Sequence, residues 1–197
     1  MPTMLRCLVA LAFTLPLAAA AAPPTLCQPG ETAYFNCAIG KAHKIASLCG
    51  HAAAPRYLQY RFGMAGHAPE LQVPATTDDP SMGSIFFYQA TRRADEREWG
   101  WDVWFHHADA IYDLTYAIDK DDAPRGMASI DYWIGRAEGA PRTMACADAD
   151  GARALENADE LIRAMAPPQR LWQLSPYDER RILDEHRAAP PASVPRR

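Results

Sequence analysis

His106, His107 and Asp109 form the one sequence cluster whose residue types suit a metal. Zinc asks for three or four nitrogen, sulfur or oxygen ligands in fixed geometry. Consecutive residues of a strand point to opposite faces, so the two histidines diverge, and a solvated hairpin tip explains them better. Glu96, Glu98 and Asp102 supply carboxylates of the kind that glycoside hydrolases use in pairs. They stand in or beside a charged stretch, however, where solvation is the plainer reading. No G-x-S-x-G occurs, and His43, His51 and His67 fall in loops with no spacing partner. The expectation is therefore no catalytic set, no metal and no cofactor. A binding row is the more promising chemistry. In Tyr57-Leu58-Gln59-Tyr60-Arg61-Phe62-Gly63, Leu58, Tyr60 and Phe62 share one face of a strand and Tyr57, Gln59 and Arg61 the other. An aromatic, an amide and a guanidinium in line suit a protein or a glycan. The bland alternative is a polar sheet face in which Arg61 pairs with a carboxylate on the next strand.

The elements that position these residues read as strands. The largest is a hairpin from Trp99 to Ile118, in which Trp99, Trp101, Val103 and Phe105 alternate, as do Tyr112, Leu114, Tyr116 and Ile118. His106 to Ala110 would be its turn. Around it lie Ala33–Cys37, Lys44–Cys49, Tyr57–Gly63, Glu70–Val73, Ser84–Ala90, Met127–Ile134 and Arg142–Ala147. About nine short strands at close spacing predict a mainly β chain, an antiparallel barrel or sandwich. One or two helices follow. Leu155, Ala158, Leu161, Ile162 and Met165 recur at helical spacing over Ala152–Met165, ended by Pro167-Pro168. Ser175-Pro176-Tyr177-Asp178 has the signature of a second helix start.

The first residues read as a secretory signal: Arg6, an apolar run from Cys7 to about Ala20, then small residues through Ala22. The run is short for a membrane span and Pro16 interrupts it. The expected organisation is a signal peptide over 1–21, a disulfide-bonded β-domain over 22–150, a helical extension over 151–188 and a disordered tail over 189–197. Loss of Arg6 takes the formal charge from −4 to −5, which disfavours nucleic acid as a partner. Of five cysteines, Cys7 leaves with the signal. Cys27, Cys37, Cys49 and Cys146 remain, an even number with no C-x-x-C pair. Hairpin register with a turn at Gly40-Lys41 puts Cys49 near Thr32 and favours Cys27–Cys49 with Cys37–Cys146. A wider turn centred on His43 would instead face Cys37 with Cys49.

Phe35-Asn36-Cys37, Ser47-Leu48-Cys49, the Tyr57–Gly63 strand and the last cysteine strand resemble a group of small exported bacterial proteins of unassigned function. In architecture the chain is also similar to the periplasmic lysozyme inhibitors, which are small disulfide-bonded β-barrels, although Ser81-Met82-Gly83 is a poor match to their inhibitory loop. The resemblance implies a periplasmic or secreted β-protein and transfers no catalytic residue. The leading expectation is a non-catalytic binding module that captures or inhibits a cationic envelope partner such as a lysozyme, favoured by acidic loops at Asp78-Asp79 and Asp119 to Asp122. The rivals are a glycan-acting hydrolase and a structural cell-envelope protein.

Overall fold

The computed structural model describes residues 24–40, 43–92, 98–119, 126–135 and 140–167. The signal segment, the second helix expected over Tyr177–Arg187 and the terminal tail lie outside the described residues, as does Glu96. Among the described residues no helix is long and apolar enough to cross a membrane.

The strands form two antiparallel meanders. β1 Thr32–Ile39, β2 Lys44–His51, β3 Tyr57–Met64 and β4 Leu71–Val73 make a four-stranded sheet. β5 Phe87–Arg92, β6 Glu98–His107, β7 Ala110–Asp119, β8 Met127–Ile134 and β9 Arg142–Ala145 make a five-stranded one. The architecture is a sandwich and not a closed barrel. Period-two alternation explains it: each sheet turns one apolar face inward. The row Phe35, Leu48, Tyr60, Val73 in the first sheet meets the row Tyr88, Val103, Leu114, Ile130, Met144 in the second. Aromatic rings fill the seam. Tyr60 lies 4.9 Å from Phe105, and Phe86 meets Phe105 edge-on at 5.4 Å. Burial of Tyr60 pushes its phenol well above the ordinary range.

One pair of edge strands is joined. Ile39 bridges Cys146, the Ala147 N–H donates to Ala38 O at 2.8 Å, and Cys37 is bonded to Cys146. The chain then turns back along β1 as a 3-10 helix, Asp150–Asn157, and continues as α2, Ala158–Met165. Gly151 lies against the Asn36 carbonyl where a side chain would collide. Leu155, Ala158, Leu161 and Ile162 are buried in the common core, so the stripe read over Ala152–Met165 packs as expected, with its first half wound more tightly. Gly50 makes room for it, since a Cβ there would stand 2.8 Å from Leu161 Cδ2 and from Tyr34 Cε2.

Two expectations are corrected. Ser84–Ala90 does not begin as a strand: Met82–Ile85 is one helical turn, α1, and β5 starts at Phe87. The Asp79 carboxylate accepts from the Ser81 N–H at 2.8 Å, and the Ser84 N–H donates to Ser81 O at 2.7 Å, which carries the turn forward. The β6–β7 connection is two residues, Ala108-Asp109, with His107 paired to Ala110 and Ala108 at φ 54°.

Candidate functional site

Both cystines expected from the sequence are present, Cys27–Cys49 and Cys37–Cys146. The β1–β2 register pairs Ile39 with Lys44 and Ala33 with Cys49. This leaves Cys49 beside the chain that precedes β1, where Cys27 lies.

That preceding segment decides the fate of the Tyr57, Gln59, Arg61 row. The three residues do share the face opposite Leu58 and Tyr60, but they do not line an open surface. Gln59 and Arg61 are 1% and 3% exposed. Residues 24–31 run across the outer face of the four-stranded sheet as a strap, tied by Cys27–Cys49. The Leu26 N–H donates to Ser47 Oγ at 3.1 Å and Asn36 Nδ2 donates to Pro24 O at 2.9 Å. Beneath the strap the Ser47 hydroxyl donates to Asn36 Oδ1 at 2.7 Å. Arg61 does pair with a carboxylate, though not on a neighbouring strand. Its Nη1 donates to Glu31 Oε2 at 2.5 Å and its Nη2 to Glu31 Oε1 at 2.7 Å, and both side chains are 3% exposed. The Tyr57 hydroxyl is a second donor to Oε1, at 2.8 Å. Burial pushes the Glu31 carboxyl up, but hydrogen bonds from Arg61, the Gln28 N–H and Tyr57, with the Arg61 charge, outweigh it and hold the group below its ordinary value. The Tyr57 hydroxyl is raised, by burial and then by the bond it gives Glu31.

The outer face of the five-stranded sheet differs. By register it carries Phe87 and Trp104, whose rings meet at a tilt with centroids 5.5 Å apart, then Asp113 opposite Asp131, and Asp131 opposite Thr143. Asp102 and Asp119 fall on the same face, and no described Lys or Arg does. Exposure grows toward β9. Trp104 is buried, Ser129 and Asp131 are half-buried, and Thr143 and Ala145 are exposed. Next to Asp131 the face deepens into a groove of about 1110 Å³, floored by the small side chains of Thr115, Ala117, Ser129 and Ala145. Met127, 61% exposed, lies along it. The turn after β9 supplies the rim with Asp148, Asp150 and Arg153. The Asp150–Arg153 pair is long, 3.6 Å, and its side chains are 80% and 56% exposed, so it contributes little. The alternation of β8 already marks Ser129 and Asp131 as outward in the sequence. The rim residues lie in an irregular turn, which has no period to read.

The remaining candidates separate. His106 and His107 point to opposite faces of β6, as strand geometry requires. Glu98 and Asp102 are four residues apart on β6, about 13 Å of strand rise. Cys27, Glu31 and Cys49 bring three ligand-type atoms within 4.8 Å, but the two sulfurs are bonded to each other and cannot act as thiolate ligands.

Comparison with models of known families, with curated proteins and with solved structures finds no match to this chain.

Proposed function

We propose that this is a periplasmic or secreted protein that works by binding and not by catalysis, and that it captures a cationic protein of the cell envelope, a lysozyme being the concrete example. Two cystines are compatible with an oxidising compartment. The observation that carries the binding reading is the groove on the β8–β9 side of the five-stranded sheet, with its small-residue floor and a rim bearing Asp148 and Asp150, on the sheet face that also carries Asp131. A lysine or arginine on its apolar stem suits such a place: the stem covers Met127 and the alanines, and the head meets carboxylates. Opposite charge speeds encounter and makes it salt-sensitive.

The test is retention of the signal-less protein on immobilised lysozyme. Retention is expected at low ionic strength, with loss on adding salt and on combining Asp131→Asn, Asp148→Asn and Asp150→Asn. No retention at low salt rejects lysozyme as the partner. Retention that ignores both salt and the three substitutions rejects the groove.

A further inference from the structure

We infer that Arg61, Gln59 and Tyr57 form a preformed receptor for a carboxylate, and that Glu31 of the chain's own strap is its resident occupant. This site lies on the other sheet from the groove and stands or falls separately.

Arg61 is held by partners other than Glu31. Its Nε and Nη2 donate to Gln59 Oε1 at 2.9 and 2.6 Å, and Gln59 is itself fixed by donating from Nε2 to Pro74 O at 2.8 Å. Both residues sit on β3, where Gln59 pairs with Cys49 of β2 and Arg61 with Ser47 of β2 and Gln72 of β4. With the fork so held, the remaining donors of Nη1 and Nη2 present the parallel pair that matches a carboxylate, and Nη1 also reaches Leu26 O at 3.0 Å. The Tyr57 hydroxyl converges on the same oxygen as Nη2. From the strap, the Gln28 N–H donates to Glu31 Oε2 at 2.5 Å. A guanidinium this deeply buried is costly without an anion, so the cradle demands a negative ligand in every state of the fold.

The occupant is of a different kind from its receptor. Residues 24–31 belong to no strand. They reach the sheet through Cys27–Cys49, side-chain hydrogen bonds and Glu31, so withdrawing Glu31 breaks no ladder. The ligand class follows from the group that fills the site: a carboxylate on a short, unbranched apolar stem. In the intact protein such a ligand competes with a tethered Glu31, whose effective concentration is on the order of millimolar. It therefore succeeds above that level or through added contacts to the strap.

Propionate is the Glu31 side chain detached from its backbone, and it supplies the test. In full-length Glu31→Ala protein, propionate should raise the thermal midpoint saturably, and at ten times its Kd the folded-to-unfolded ratio should rise roughly elevenfold. Wild-type protein, with its cradle filled, should show only the general salt effect, and uncharged propionamide should do nothing to either. If Glu31→Ala is unfolded without additive, the same titration is followed as recovery of near-ultraviolet circular dichroism, and recovery supports the receptor. A propionate response no larger in Glu31→Ala than in wild type, or no recovery of an unfolded variant, overturns it.

Discussion

On the four-stranded sheet the outward residues Asn36, Ser47, Gln59 and Arg61 are buried beneath residues 24–31. On the five-stranded sheet the outward residues Met127, Thr143 and Ala145 are exposed, and the face hollows into a groove. The two faces begin from the same pleat. What separates them is a covalent tether: Cys27 brings a second polar layer onto β2, and once water is excluded each polar atom must find a partner inside. A polar row on one sheet thus becomes an internal network, while beside the other the carboxylates of the turn after β9 stay toward solvent.

The largest difference between the faces should come from Arg61→Ala. It leaves the Glu31 carboxylate buried without its counter-ion, and loss of one partner from such a pair costs about 3–5 kcal/mol. Urea unfolding measures this. A loss below about 1 kcal/mol would mean that the strap opens readily and that the two faces are alike.

Replacing Cys27 and Cys49 together by serine should cost about 2–4 kcal/mol, because the loop they close spans 22 residues. Proteolysis within residues 24–31 should quicken in that variant, and cleavage no faster than in wild type would show that the hydrogen bonds hold the strap unaided.

The pH dependence is smaller and has a definite sign. Glu31 titrates below its ordinary value of 4.5 in the fold, so the unfolded chain takes up its proton first as pH falls. The stabilisation is complete above that ordinary value and is lost as pH drops through the lower folded value. Thermal midpoints across the acid range should fall less steeply for Glu31→Gln, which starts from a lower midpoint at neutral pH. Parallel curves for the two proteins would remove Glu31 from the acid transition.

The smallest change is expected on the open face. Asp148→Asn and Asp150→Asn, both at exposed positions, should each shift stability by no more than about 0.5 kcal/mol, as surface substitutions do. A greater loss would make those residues structural in the way that Arg61 is.

Much of this contrast was legible in the sequence, and the illegible part has a physical cause. Strand alternation put Tyr57, Gln59 and Arg61 on the face away from Leu58 and Tyr60, because a half-buried strand writes its orientation at period two. Whether that face meets water depends on residues 24–31, which have no period. The pairing of Cys27 with Cys49 was readable from hairpin register, yet its consequence for Arg61 needed the strap's path. Ile85-Phe86-Phe87 satisfied both a strand and a turn ending in a strand, and the structure takes the second, with the Asp79 carboxylate holding the Ser81 N–H just before it. Leu155, Leu161 and Ile162 kept their spacing legible because a 3-10 turn and an α-turn still present a common side to the core. The groove joins a sheet face to a turn on the far side of Cys146, and only tertiary structure brings those together.

Hydrogen exchange of the signal-less protein with and without excess lysozyme at low salt tests most directly that the open face is the binding face. The predicted result is added protection in 127–134 and 142–150, no change in 24–31 or in β1–β3, and loss of that protection when Asp131, Asp148 and Asp150 are all replaced by asparagine. Added protection confined to the strap and the four-stranded sheet, or persisting in the triple variant, would contradict it.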